Sequence, residues 1–319
     1  MPYYATFDGC LHSDQLLFPE LAFSDSRTPS WHLEVVREPS ELVEDGETLG
    51  AGLEPYCEIT LCRIPNGLRL RHSCTGYFDI TSNGRNIAWH PTPTASLEMG
   101  RIDVLGRVLS VALHLNGVIA LHGSAVGFDG SAIAFLAPKL HGKSTLAAAL
   151  VRAGARLLSD DTVAVRLSPS ATVHYGVPSM RLCSDSAQRF IAPETPQRVG
   201  VDGKHVVDHK RDEVVTAVHT PLSAIYLLQP VVRGIKADSA RRTRLPVTQA
   251  AIALLGHAKI ASLLGKTEAT VVFERAATLA RAVPVYRLEV VRDFDEIEVV
   301  LNTIMSWHDS TEMPALVGV

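Results

Sequence analysis

The sequence predicts an α/β protein with an N-terminal antiparallel β-rich part, and three observations predict it. An apolar stretch, Ser131–Leu136, runs into a loop ending in Gly142-Lys143-Ser144, which opens an Ala/Leu-rich helix. An acidic pair, Asp160-Asp161, follows one helix and one strand later. The first hundred residues instead carry two-residue hairpin signals between strand-like runs.

The 319 residues are 46% hydrophobic and 20% charged, enough to bury one large core or two ordinary ones. A net charge of −4 offers no bulk basic surface, so nucleic acid is not an expected partner. The five cysteines are odd in number and scattered, which argues against a disulfide framework. Cys57 and Cys62 lack a second Cys/His pair at zinc-site spacing and read as buried strand cysteines. Met1–Cys10 has neither the basic nor the apolar region of a signal peptide. The apolar run Val104–Leu121 is broken by Arg107, His114 and Asn116, so no membrane span is expected. Reduced thiols without a targeting signal point to the cytoplasm.

In chain order, Glu58–Ile64 and Leu68–Arg71 flank Asn66-Gly67, and Tyr77–Ile80 and Asn86–Trp89 flank Asn83-Gly84. Both pairs tolerate positive φ and predict hairpins. Pro91 and Pro93 end this run. From Ile102 the period changes: Val104, Val108, Val111 and Leu115 share a helical face that Gly117 terminates. Val118–Leu121 is a short buried strand, Phe128–Ser131 a turn and Ser131–Leu136 a strand. A helix is expected over Thr145–Ala153, closed by Gly154. Arg156–Leu167 is a strand interrupted at Ser159-Asp160-Asp161. Ala224–Leu228 and Val285–Val291 read as buried strands, and Thr248–Leu264 as a helix. Asp293 and Glu296 form a capping box for a last helix through Trp307. The polar segment Arg198–Glu213 reads as a mobile loop. The expected division is a β-rich domain over 1–100 and a nucleotide-binding domain over 101–319.

The chemistry gathers between Leu121 and Arg166. A phosphate loop presents backbone N–H groups at a helix N-terminus. In the usual pattern Lys143 reaches the β- and γ-phosphates and the Ser144 hydroxyl binds Mg²⁺. Ala137 stands where that pattern has its first glycine. Adjacent carboxylates at a strand end suit phosphoryl transfer, one holding Mg²⁺ and the other accepting the proton of the attacking hydroxyl. His122, at the end of the preceding strand, is placed to hydrogen-bond one of them.

The order Leu121-His122-Gly123, Gly142-Lys143-Ser144, Leu158-Ser159-Asp160-Asp161 resembles the HPr kinase/phosphorylase catalytic domain. It looks more like the HPr-kinase-like proteins found with ribosomally made peptides, some of which phosphorylate the C-terminal serine of a lasso-peptide precursor. The specific similarity covers Leu121 to Arg166. A weaker one includes Gly176–Leu182 and Val285–Leu288. The resemblance implies a P-loop kinase core of the HPr kinase/PEP carboxykinase type that uses ATP and Mg²⁺. It implies a peptide or protein partner with an acceptor serine, and a homo-oligomer.

Carried over residue by residue, the resemblance assigns nucleotide contacts to Pro138, Lys139, Leu140, His141, Gly142, Lys143, Ser144 and Thr145. Ser144 and Asp161 would hold Mg²⁺, Asp160 would be the base, and His122 would orient it. Arg181 and Lys204 are candidate phosphate or substrate contacts. The substrate would lie over the C-terminal strand ends, against Arg198–Glu213.

Relatives read Gly-Pro-Ser-Gly-x-Gly-Lys-Ser-Thr. Ala137, Lys139 and Leu140 replace Gly, Ser and Gly here. A leucine forced to positive φ costs about 1–2 kcal/mol. The longer HPr kinase signature after the acidic pair is absent, which argues against HPr itself as substrate and against the reverse reaction. Two other readings stay open: a nucleotide- or peptide-binding protein with a degenerate loop, and a small-molecule kinase.

Overall fold

The computed structural model describes residues 2–37, 46–54, 57–128, 130–200, 202–208, 219–231 and 239–308. The described residues form two nine-stranded sheets and a three-stranded one.

The first sheet uses β1 (Tyr3–Thr6), β2 (Gly9–Ser13), β3 (Ala22–Phe23), β4 (Trp31–Val35), β5 (Thr48–Glu54), β6 (Cys57–Ile64), β7 (Gly67–His72), β8 (Gly76–Thr81) and β9 (Asn86–Pro91). Their order is β3-β1-β2-β4-β9-β8-β7-β6-β5. The sheet is mixed, because β4 runs parallel to both β2 and β9. That corrects the expectation of an antiparallel part: only β5–β9 and β1–β3 are antiparallel runs. The first hairpin turn is Pro65-Asn66, with Gly67 paired to Ile64, one residue earlier than expected. Proline at the first corner and glycine after the second is type I turn chemistry.

A continuous helical run follows: α1 (Leu97–Asp103), a π-helical turn (Val104–Val108) and α2 (Leu109–Leu115). The Ser96 hydroxyl caps it by accepting from the Met99 N–H at 3.2 Å. The expected division at residue 100 falls within α1. Val104, Val108 and Val111 bury against Leu33, Ile59, Leu61, Phe78 and Trp89 of the first sheet. Gly100 lies flat on Trp89, where a Cβ would come within 2.2 Å of the indole.

The second sheet contains β10 (Ile119–Leu121), β11 (Gly123–Phe128), β12 (Ser131–Leu136), β13 (Arg156–Ser159), β14 (Val163–Arg166) and β15 (Thr172–Val173). The helix between β12 and β13 is α3 (Lys143–Arg152). Next come β16 (Ser179–Leu182), α4 (Ser184–Phe190), β17 (Gln197–Val199) and β18 (His205–Asp208). The last elements are β19 (Thr220–Val231), β20 (Ala240–Arg244), α5 (Val247–His257), α6 (Lys266–Ala282), β21 (Val285–Val291) and α7 (Ile297–Ser306). The main path is β10-β14-β15-β19-β12-β11-β13, with β21 parallel to β19.

Alternation along β12 divides the core. Ala132, Ala134 and Leu136 face α5 and α6, with Leu254, Val272 and Leu279. Ile133 and Phe135 face α3 and α7, with Leu146, Leu150, Val300 and Ile304. Helices therefore cover both faces of the sheet.

Three expectations need correcting. Residues 198–200 and 202–208, within the segment expected to be a mobile loop, carry the end of β17 and all of β18, which pair with each other and, through β18, with β16. Residues 209–213 of that segment, like Asp129 of the expected turn, lie outside the described residues. The Asp293/Glu296 capping box does not form. Glu296 turns to accept from Ser239 Oγ at 2.8 Å, and Asp293 Oδ1 accepts from the Asp295 N–H. Finally, Cys57 and Cys74 form a disulfide, so the cysteines are not all reduced. The pairing continues the register of the β6–β7 hairpin, in which Ile59 faces His72. No helix among the described residues is long and apolar enough to cross a membrane.

Candidate functional site

The site is made by a paired break in one antiparallel ladder. β10 pairs with β14, and β11 pairs with β13. The chain passes from β10 to β11 at His122 and from β13 to β14 at Asp160-Asp161-Thr162. Each break frees side chains that an unbroken ladder would point into one face or the other. His122 and the acidic pair thus meet at one point. Asp161 takes φ +66°, a left-handed conformation that Asp tolerates better than most residues.

The two carboxylates have different surroundings. Asp160 is buried, at 4% exposure. Its Oδ1 accepts from Ser124 Oγ at 2.5 Å and Ser144 Oγ at 3.0 Å, and its Oδ2 from the Arg181 N–H at 3.1 Å. The Asp161 side chain is 49% exposed. It lies 3.3 Å from His122 Nδ1 and forms an ion pair with Lys259, whose Nζ also donates to Thr162 Oγ1 at 3.0 Å. Desolvation works to raise the Asp161 carboxyl, but Lys259 and then His122 overrule it and hold it well below the usual carboxylate range. His122 therefore lies against both the carboxylate and the backbone carbonyl of Asp161, whereas the resemblance pairs it with Asp160.

Lys259 was not legible as a site residue. It arrives from 98 residues downstream of Asp161, on a segment anchored to β10 by the Lys259 N–H to Ala120 carbonyl bond. Gly106 of the π turn borders the same spot: a Cβ there would stand 3.8 Å from Lys259 Nζ and 4.0 Å from Asp161 Oδ2.

An observable consequence follows from the Lys259 ion pair. Asp161 has a depressed folded pKa, so its contribution exists above the unfolded value near 3.8 and is lost as pH falls through the folded one. If the ionised carboxylate is the working form, Lys259→Gln moves the acid limb of a pH–rate profile to higher pH. An unmoved limb would show that Lys259 does not govern Asp161.

The loop between β12 and α3 supplies the other half. Gly142 caps α3 at φ +90° and Leu140 sits at φ +67°. The leucine departure thus falls at a left-handed position, and its side chain is 66% exposed. Replacing it with glycine removes the Cβ penalty and loses little burial. Leu140→Gly is expected to stabilise the protein by about 1 kcal/mol after the entropy cost of glycine. A denaturant titration reads this directly, and a destabilised variant would contradict it.

Lys143 is buried and donates to the carbonyls of Ala137 at 2.8 Å and Pro138 at 3.0 Å. Desolvation lowers its pKa, while Asp160 and Asp161 oppose that. His141 Nδ1 donates to the Lys139 carbonyl at 2.9 Å, which tightens the loop, and Pro138 and Lys139 are exposed. Thr145 faces away, with its hydroxyl 2.9 Å from that of Ser186.

Of the two substrate candidates, Arg181 ion-pairs with Asp202 at 2.8 Å and reaches Asp160 only through its backbone. Lys204 lies close enough for its charge to act on Lys143 and Asp202. A cavity of about 240 Å³ adjoins the loop, lined by Leu140, His141, Thr145, Cys183, Pro230 and Phe294 among others.

No protein-family model and no curated protein matches the chain. Among solved structures it is similar to the HPr(Ser) kinase/phosphatase from Coxiella burnetii, at 10% identity and a TM-score of 0.31, over 61% of this chain and 99% of that one. So loose an overlap defines neither the fold nor the chemistry.

Proposed function

We propose that the protein is a kinase that transfers the γ-phosphate of ATP to a serine hydroxyl of a peptide or protein. One observation carries the reading: the hydroxyl that opens α3 and the buried carboxylate of the ladder break stand 3.0 Å apart, Ser144 Oγ to Asp160 Oδ1. Two oxygen ligands on neighbouring corners of a magnesium octahedron, with bonds of about 2.0–2.1 Å, lie about 3 Å apart. Ser144 and Asp160 therefore fit as the magnesium pair, in place of Ser144 and Asp161. The ion's contribution is to neutralise charge on the phosphates.

The remaining residues divide the work. The loop amides and Lys143 receive the phosphates once its ammonium leaves the carbonyls of Ala137 and Pro138. The adjoining apolar cavity accepts the base. Asp161, exposed and oriented by His122 and Lys259, accepts the proton of the acceptor hydroxyl. In the transfer, the serine oxygen bonds to the γ-phosphorus, the bond from that phosphorus to the bridging oxygen breaks, and ADP leaves. A loose transition state asks little of a base until late, so a weakly basic Asp161 suffices.

The openness of Asp161 favours a peptide over a small-molecule acceptor, which a closed pocket would suit better. A lasso-peptide precursor with a C-terminal serine is the specific substrate class we would try first. The test is incubation with ATP, Mg²⁺ and serine-containing peptides, followed by mass spectrometry. Phosphoserine is expected. Nucleotide binding without transfer to any acceptor would favour the binding-protein reading, which the strained Leu140 and the folded-back Lys143 already make the chief rival.

A further inference from the structure

A second cluster of chemistry-bearing side chains lies where the turn between β1 and β2 docks on the second sheet. Phe7 and Asp8 both take left-handed conformations there, at φ +46° and +55°. Asp8 Oδ1 accepts from the Tyr175 N–H at 3.0 Å, and the Asp8 N–H donates to the Tyr175 carbonyl at 3.3 Å. Asp8 Oδ2 is thereby turned toward two imidazoles, 3.2 Å from His219 Nδ1 and 3.6 Å from His174 Nδ1. It makes no aligned hydrogen bond with either, although the Asp8 side chain is only 2% exposed. Among the described residues no Lys or Arg forms an ion pair with it.

His174 supplies the second observation. Its Nδ1 lies 2.8 Å from the Phe7 carbonyl, which can only accept, so the proton is on Nδ1 and Nε2 carries a bare lone pair. That Nε2 is buried and has no partner. An imidazole whose Nδ1–H is held by a backbone carbonyl while Nε2 stays free is in the state a metal-ligating histidine adopts. Buried polar atoms are otherwise nearly always paired.

We propose that Asp8, His174 and His219 bind one divalent transition-metal ion of the zinc class, with a fourth position open to water beside the half-exposed His219. Asp8 would bind through Oδ2, His219 through Nδ1 and His174 through Nε2, its ring turning to bring that atom round, because the nitrogen now facing Asp8 is the protonated Nδ1. One ligand-capable atom of each residue already lies within 4.8 Å of the other two. A tetrahedral zinc with bonds of about 2.0–2.1 Å sets its ligands about 3.3 Å apart, close to the 3.2 Å already separating Asp8 and His219. The two-histidine, one-carboxylate donor set suits zinc better than the all-oxygen preference of magnesium or calcium. The ion would tie the first sheet to the start of β19, away from the phosphate loop.

Two other clusters fit less well. His12 and His32 face each other through Nδ1 atoms 2.9 Å apart, which share a proton and so do not both face an ion. His12 Nε2, like His174 Nε2, has no hydrogen-bond partner, but it lies on the other side of its ring, 3.3 Å from the more exposed Asp14. Cys57 and Cys74, beside His72, are joined to each other.

The test uses the full chain, stripped with chelator and without nucleotide, titrated with Zn²⁺ by calorimetry and with Co²⁺ by visible absorption. One ion per chain is expected, with the absorption of a tetrahedral nitrogen–oxygen site. His219→Ala, at a half-exposed position that leaves the core intact, and Asp8→Asn should each weaken binding by about 10-fold or more. His12→Ala should bind as wild type does. Absence of binding by the wild-type chain at micromolar Zn²⁺ would overturn the proposal, as would binding undiminished in His219→Ala.

Discussion

Asp161→Asn is expected to reduce transfer by about 10²–10⁴-fold while leaving ATP binding near wild type. The substitution keeps the shape of the side chain and an oxygen for Lys259, but the nitrogen cannot take the proton of the acceptor. Among the described residues Asp161 forms no hydrogen bond with the phosphate loop and acts on Lys143 only through its charge, whereas Asp160 bonds directly to Ser144. Asp160→Asn should therefore act differently, raising the Mg²⁺ concentration needed for half-maximal activity. Single-turnover rates at saturating and limiting Mg²⁺ separate the two. If Asp160→Asn lost transfer with unchanged Mg²⁺ dependence while Asp161→Asn stayed active, the roles implied by the family resemblance would stand and the exchange argued from burial would fall.

Lys143→Ala is expected to lower turnover by about 10²–10³-fold, the usual effect of removing one preorganised donor to a reacting phosphate or oxyanion. Lys143 is 7% exposed and held by two loop carbonyls, so its ammonium is poised at the helix entrance and not free in solvent. The Ala137 and Pro138 carbonyls lose their donors in the variant, so circular dichroism should accompany the kinetics. A correctly folded variant with near-normal turnover would remove the loop from the mechanism.

Much of the local structure was legible because local chemistry determines it. The strand Ser131–Leu136 and the helix closed by Gly154 appear where pattern and punctuation put them, and the strand interruption falls one residue later than expected, at Asp160–Thr162. The positive φ at Leu140 was legible too, as a glycine position filled by leucine. What escaped was set by pairing at a distance. The parallel placement of β4 between β2 and β9 leaves no mark on β4 itself. Helix α6 buries Val272, Ala276, Leu279 and Ala280, a stripe of mostly small side chains with a weak apolar signal. The partner of His122 could not be read from order alone, because the left-handed turn at Asp161 decides which neighbouring carboxylate faces it. Lys259 and the Cys57–Cys74 bond belong to the same class.

The central claim is that the Ala137–Ser144 loop and Asp160 together form a working nucleotide–magnesium site. Titration calorimetry with ATP, in the presence and absence of Mg²⁺, tests it most directly on wild type and Lys143→Ala side by side. The structure predicts Mg²⁺-dependent binding to wild type that is strongly weakened in the variant. Failure of the wild-type protein to bind ATP under either condition, or equal binding by both proteins, would contradict it.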